Sequence, residues 1–136
     1  MNLDVIKQEI ANEIEAQVRE SFNQQKDALS GRNWTPLKPK TLKYKSEHKP
    51  ILERSRLLRS SVRVDITPQG VLTRVNVPYA PFHQLGTRKM PARRFLPFEK
   101  EGTPSRQLLK AMEDIMNPEG VGGRDLLHQI AARLRM

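Results

Sequence analysis

The hydrophobic period of this chain changes from that of a helix to that of a strand, and this change most restricts the fold. Over residues 1–27, apolar side chains recur at spacings of three and four, and acidic residues lie between them. The apolar residues are Leu3, Ile6, Ile10, Ile14, Val18 and Phe22. This spacing predicts an amphipathic N-terminal helix whose apolar stripe faces the core. Between Val62 and Val77 the period is two, interrupted by a turn at 67–70, which predicts an antiparallel β-hairpin.

The remaining segments complete an α+β interpretation. Residues 93–98 have the length and composition of a third short strand. Thr103 is a suitable N-cap with Pro104 in the first helical position, and a last helix is expected from Arg124 to Arg135. We therefore predict a small antiparallel sheet with a long N-terminal helix and C-terminal helices packed on it. The single domain over 1–136 divides into the N-terminal helix (1–27), a basic connection (28–61), the sheet and loop (62–98) and the C-terminal helices (103–135).

Length and composition exclude several classes of protein. A chain of 136 residues suits one domain with a core of its own. There is no cysteine, which excludes disulfides, zinc–thiolate centres and cysteine nucleophiles. The N-terminus lacks the apolar run of a signal peptide, and no apolar run approaches the ~20 residues that span a bilayer. We therefore expect a soluble protein that is made in a cytoplasm and has no membrane partner.

Positive charge is concentrated in the middle of the chain. The formal net charge is +9, yet residues 1–30 carry three Lys and Arg against six Asp and Glu. Residues 31–63 carry ten basic residues against two acidic ones, a net charge of +8. Such an excess indicates a polyanion or an acidic protein surface as a neighbour.

The stretch 79–96 gathers aromatic and basic residues around one histidine, His83. A hydrolase would need a nucleophile or paired carboxylates there, but the stretch contains no Asp, Glu, Ser or Cys. His48 and His128 are distant and show no metal-site spacing, and no glycine-rich phosphate loop is present. We predict no catalytic residue, no cofactor, no metal and no small-molecule substrate. His83 is expected to be a hydrogen-bonded structural residue, whose replacement by Ala affects folding or assembly rather than chemistry.

An assembly surface is the other interpretation of this stretch. The basic tip at 88–94 is either a solvated loop or a contact for phosphates or for acidic groups of another subunit. Gly86 permits a positive φ where the chain turns, and Trp34 either pins its loop to the body or anchors an interface. The candidate interface residues are Trp34, Tyr79, Phe82, His83, Gly86, Arg88, Lys89, Arg93 and Arg94. The basic connection adds Lys38, Lys40, Lys43, Lys45 and Lys49.

Two expectations follow for the loops. Residues 30–50 and 87–93 have few apolar side chains, so we expect weak protection from hydrogen exchange in an isolated subunit, because ordering a residue costs ~1–2 kcal/mol. Replacing Arg88, Lys89 and Arg93 by Ser is expected to leave the fold nearly intact and to impair assembly with neighbouring subunits.

Several short motifs follow one another in a specific order between residues 30 and 98. They are W-x-P-L from Trp34, T-L-K from Thr41, I-L-x-x-S-x-x-L-x-x-S from Ile51, the hairpin, YA-x-x-HQ-x-G-T from Tyr79 and M-P-A-R-x-F-L from Met90. This order resembles the phage virion morphogenesis, or tail completion, family, in the form carried by Mu-like prophages. One departure is Arg94, which stands where the family usually has proline.

The resemblance implies a structural protein of the virion, assembled in the bacterial cytoplasm and placed in the neck, where tail meets head. It implies a ring, commonly a hexamer, with copies of itself and other tail or neck proteins as partners, and it allows non-specific contact with DNA in the channel. Two alternatives stay open. One is a small basic nucleic-acid-binding module or ribosome-dependent nuclease toxin, and the other is an enzyme without a recognisable motif.

Overall fold

A long N-terminal helix packs on one side of a small three-stranded sheet. The computed structural model describes residues 3–35, 56–88, 91–116 and 130–135. Their order along the chain is helix α1 (Leu3–Gln24), helix α2 (Arg56–Ser60), strands β1 (Val62–Thr67) and β2 (Gly70–Val75), helices α3 (Ala80–Leu85) and α4 (Arg106–Met116), and strand β3 (Ala131–Arg135). The predicted α+β class is confirmed. No helix in the described ranges has the length and apolar character needed to cross a bilayer.

Helix α1 buries the stripe that its spacing predicts from Ile6 to Phe22, whereas Leu3, at the start of the helix, is exposed. Ile10 and Ile14 are fully buried, and the stripe contacts β1, β2 and α4. The helix ends at Gln24 because the next residue, Gln25, takes a left-handed conformation with φ of 52°. Near the other end, the Lys7 ammonium donates to the backbone oxygens of Thr67 and Pro68 at 2.9 and 3.3 Å, which ties α1 to the hairpin turn.

The hairpin has the predicted antiparallel pairing. Val62 lies opposite Val75 and Thr67 opposite Gly70, which leaves Pro68 and Gln69 as the turn. Residues that face each other share one side of a sheet. The valines of β2 and Thr73 therefore point to the core, and the residues between them point away from it.

The C-terminal residues 131–135 form a strand, and the predicted helix through Arg135 is wrong there. Strand β3 runs parallel to β2, so the sheet is mixed rather than antiparallel, with the order β1-β2-β3. Ala132 and Leu134 take the core side of β3. The approach is close, because a Cβ on Gly70 would lie 2.0 Å from the Ala131 oxygen, and one on Gly102 would lie 2.8 Å from the Leu134 oxygen. Residues 124–129 lie outside the described ranges.

Residues 93–98 are not the predicted third strand. Phe95, Leu96 and Phe98 are all buried, so their burial does not alternate as it would in a strand with one face on the core. One isolated bridge joins Phe98 to Pro104. The buried backbone N–H and C=O groups at 95–98 form their hydrogen bonds mainly with the Gln84 side chain of α3.

Helix α4 starts later than its predicted cap. The Ser105 hydroxyl accepts a hydrogen bond from the Leu108 backbone N–H at 3.1 Å, so Ser105 is the N-cap. The prediction of Thr103 as cap and Pro104 as first helical residue is wrong, because both precede the helix and Pro104 pairs with Phe98 in an isolated bridge. Leu108, Met112 and Met116 form the buried face of α4.

Candidate assembly surface

Helix α3 packs on the core with one side and exposes two apolar side chains on the other. Ala80 and Gln84 face the core, whereas Phe82 is 54% exposed and Leu85 is 47% exposed. Gly86 ends the helix with φ of 77°, as expected, and its N–H donates to the Phe82 oxygen at 2.9 Å. The exposed Arg88 lies two residues after Gly86. We call Phe82, Leu85 and Arg88 the α3 surface.

The Gln84 amide attaches α3 to the segment 95–98. Its nitrogen donates to the oxygens of Leu96 and Phe98 at 3.0 and 3.3 Å. Its oxygen accepts from the N–H groups of Phe95 and Leu96, both at 3.1 Å. All these groups are buried, so this one side chain supplies the hydrogen bonds that a neighbouring strand would otherwise provide.

Arg93 belongs to the body of the protein. It is 7% exposed, its N–H donates to the His83 oxygen at 2.8 Å, and its Nε donates to the Thr35 oxygen at 3.0 Å. The expectation that Arg93 lies exposed in the basic tip is therefore wrong. The expectation that its replacement leaves the fold intact was argued from that exposure and stays a prediction. The sequence places it in a basic run, but its backbone position beside α3 determines its burial.

Arg94 joins three parts of the chain. Its backbone oxygen accepts from the Ala28 N–H at 2.9 Å, and from the Ser21 hydroxyl and the Trp34 indole N–H at 3.2 Å each. Its side-chain Nε donates to Asp27 Oδ2 at 2.6 Å. Arg94 is the residue that departs from the motif pattern described above, in which proline is usual. In this chain its side chain has an ion-pair partner. Its predicted role in an interface stays a prediction.

Asp27, the ion-pair partner of Arg94, is held in position by hydrogen bonds within its own turn. Its other carboxylate oxygen, Oδ1, accepts from the N–H groups of Leu29 and Ser30 at 2.9 and 3.0 Å. Burial alone would raise the pKa of Asp27, but the hydrogen bonds from Arg94 and these two N–H groups outweigh it and lower that pKa below its usual value. The carboxylate is therefore charged at neutral pH, and the turn and Arg94 together hold it in place.

Trp34 pins its loop to the body, the first of its two predicted roles. Its ring is buried and meets the ring of Phe22 edge-on, with 5.7 Å between centroids. The ring of Phe95 lies on Phe22 as well, at 5.5 Å. Trp34 is therefore inside the protein, and its surface is not offered to a partner in this subunit.

His83 lies half-buried on helix α3. Its ring meets the ring of Tyr79 edge-on at 5.9 Å. Its Nδ1 is buried, and no hydrogen bond to it is formed within the described ranges, so the expected hydrogen-bonded imidazole is not seen at this atom. Burial, and then the charge of Arg93, lowers the pKa of His83. Within the described ranges, no three His, Cys, Asp or Glu side chains gather as metal ligands would.

The structure thus separates the predicted interface residues that it describes into three groups. Arg88 and Phe82 are exposed, whereas Trp34 and Arg93 are buried and Tyr79, His83, Gly86 and Arg94 are partly buried. Lys89 and the lysines of the basic connection, Lys38, Lys40, Lys43, Lys45 and Lys49, lie outside the described ranges. Sequence reasoning missed Gln84 and Asp27 as organising residues. The available signal was weak, since Gln84 appears only as one letter of the YA-x-x-HQ motif.

One comparison with known proteins finds a matching family. The model of the phage virion morphogenesis family matches residues 1–117, a range that includes α1, the hairpin, α3 and all of α4 and ends before β3. Comparisons with curated proteins and with solved structures give no match. The matched range covers most of the 136 residues and all of the α3 surface. The chain therefore belongs to the phage virion morphogenesis family.

Proposed function

We propose that this protein is a structural subunit of the head–tail neck, which completes the tail and allows it to join the head, and that it acts as a ring subunit. In this proposal the α3 surface contacts the next subunit or another tail or neck protein. Membership of a virion morphogenesis family supports the structural role. The observation that carries the interface is the exposure of Phe82 and Leu85 on a helix anchored by a buried amide.

The α3 surface has the properties of an interface anchor. Aromatic side chains near the centre of an interface contribute most of its binding energy, and their truncation costs about 2 kcal/mol or more. Because Gln84 already holds α3 in place, little conformational entropy remains to be lost on binding. Arg88, exposed three residues after Leu85, adds a charge that can steer and orient a partner.

The test is a phage carrying Phe82→Ser together with Leu85→Ser. We expect the purified variant to keep its circular dichroism spectrum and melting temperature, because both side chains are exposed. We expect electron microscopy of lysates to show tails and filled heads that have not joined, with few complete particles. Infectious titre should fall in parallel.

A matched control removes two exposed apolar side chains elsewhere. Val5 on α1 is 53% exposed and Leu109 on α4 is 39% exposed, so Val5→Ser with Leu109→Ser makes the same chemical change on other helices. This control should assemble normally. Wild-type particle yield from the α3 variant would refute the interface. Normal particles from a phage that lacks the protein altogether would refute the structural role and favour the nucleic-acid-binding alternative.

A further inference from the structure

The side of the sheet that faces away from α1 carries four exposed arginines. The register places Arg63 of β1 opposite Arg74 of β2, and Arg74 beside Arg135 of β3, in one row across the sheet. Arg133 lies on the same side in the neighbouring row, beside Leu72. Because paired residues share one side of a sheet, all four guanidinium groups project from one surface. We call this surface the outer sheet face.

The positive charge of the outer sheet face is mostly unneutralised. Asp65 is the only acidic residue on the outer side of the three strands, and it accepts a hydrogen bond from Arg74 Nε at 3.0 Å. Within the described ranges, Arg63, Arg133 and Arg135 form no ion pair. Neighbouring strands are only ~4.8 Å apart, and like charges directly opposite each other destabilise a sheet. An anionic partner would remove that repulsion.

The chemistry of this face favours the backbone of duplex DNA over an acidic protein. Leu72 is its only large apolar side chain and is half-buried, whereas protein interfaces rely on exposed apolar and aromatic anchors. The outer side of the strands has no aromatic residue, and stacking on aromatics is what single-stranded nucleic acids use. Protein–DNA interfaces are more polar and much more positive, and arginine matches phosphate geometry.

The dimensions of the face agree with this choice. Two strand spacings separate Arg63 from Arg135, about 10 Å at the backbone, and Arg133 lies two residues from Arg135 along β3, about 7 Å away. Duplex DNA carries one charge per ~1.7 Å of its axis, so a patch of this width faces several phosphates at once.

We propose that the outer sheet face binds the phosphate backbone of double-stranded DNA without reading its sequence, through Arg63, Arg133 and Arg135. This site is separate from the α3 surface and does not depend on the proposed role in the neck. It is tested on the purified protein alone, so its failure and the failure of the assembly proposal are distinguishable.

The experiment measures binding of a short random-sequence DNA duplex by fluorescence anisotropy between about 50 and 200 mM salt. The variant is Arg63→Gln with Arg133→Gln and Arg135→Gln. Each phosphate contact contributes ~0.9 to the slope of log affinity against log salt, so this slope should decrease in magnitude by about 2.7. The melting temperature should stay the same or rise, because mutual repulsion is removed and nothing buried is changed.

The control removes the same charge from the helices. Arg19 of α1, with Arg106 and Lys110 of α4, is replaced by Gln; all three are exposed, and the lysines at 38–49 remain in every protein compared. This control should keep the wild-type salt slope. The proposal is overturned if wild-type protein does not bind the duplex, if both triple variants lose the same slope, or if poly-glutamate competes as strongly as DNA.

Discussion

At the scale of single residues, Gln84 does more for the structure than its polar character suggests. Its amide satisfies two donors and two acceptors of the backbone at 95–98, all of them buried. Pairing with a neighbouring strand would supply the same hydrogen bonds. However, Pro97 lacks an N–H, and the two buried phenylalanines do not fit the alternating burial of a strand. The irregular segment is therefore stable because one side chain completes its hydrogen bonds.

Gln84→Met keeps the length of the side chain and removes its polar atoms. Each buried group left without a partner costs about 1–3 kcal/mol, so we expect the free energy of unfolding to fall by about 3 kcal/mol or more. Urea denaturation measures this change. Gln107→Met makes the same substitution at an exposed position of α4 and should stay within about 0.5 kcal/mol of wild type. Equal effects of the two substitutions would contradict the role of the amide.

His83 predicts a dependence of stability on pH. In the folded state the pKa of His83 is lowered from its ordinary value of 6.5. At a pH between the folded pKa and 6.5, the unfolded chain therefore binds more protons than the folded one. The contribution to stability is complete above 6.5 and is lost as the pH falls from there toward the folded pKa. His83→Gln should therefore lose less stability than wild type over this range. His48 and His128 are present in both proteins and cancel, and parallel stability curves would show that His83 does not titrate differently on folding.

At the scale of elements, the sequence predicted the helix and the strands whose formation depends on a sustained local hydrophobic period. Helix α1 and the hairpin follow from periods of 3.6 and two, each sustained over many residues. Strand β3 did not follow, because Ile130 and Leu134 are spaced for a helix while Ile130, Ala132 and Leu134 are also spaced for a strand. Only the position of β2, distant in sequence, decides between the two.

The candidate site shows the same division. The exposure of Arg88 and the turn at Gly86 follow from the sequence around α3, whereas the exposure of Phe82 was not predicted. The burial of Arg93 does not, because it results from contacts with His83 and Thr35 that no spacing encodes. The outer sheet face was also missed, since two of its arginines belong to the strand that was predicted as helix.

The close approach of β3 to β2 gives a test at this scale. Gly70→Ala would place a methyl group 2.0 Å from the Ala131 backbone oxygen, so one strand must move. We expect a loss of about 2–3 kcal/mol in the free energy of unfolding. Gly31→Ala is the matched control, because Gly31 also has a positive φ of 73° but nothing within 4 Å of the added carbon. It should lose only about 1–2 kcal/mol, from backbone strain alone. Equal losses would mean that β3 does not pack against Gly70.

At the scale of the whole molecule, α1 connects the sheet to the α3 surface. Its middle packs on β1, β2 and α4, while Phe22 near its end contacts the rings of Trp34 and Phe95. Phe95 in turn donates to Gln84 of α3. The α3 surface is therefore held by the same core as the sheet, and we expect both to unfold together.

The sole tryptophan makes this cooperativity measurable, because Trp34 reports on the junction while far-ultraviolet circular dichroism reports mainly on the helices. In urea the two signals should give one midpoint. Ile14→Ala opens a cavity under α1 and should destabilise by about 2–5 kcal/mol, moving both midpoints together. Val5→Ala, at an exposed position of the same helix, should move neither by more than about 0.5 kcal/mol. If the fluorescence changed at lower urea than the helical signal, the junction would open by itself, and the core would not hold the α3 surface ready for a partner.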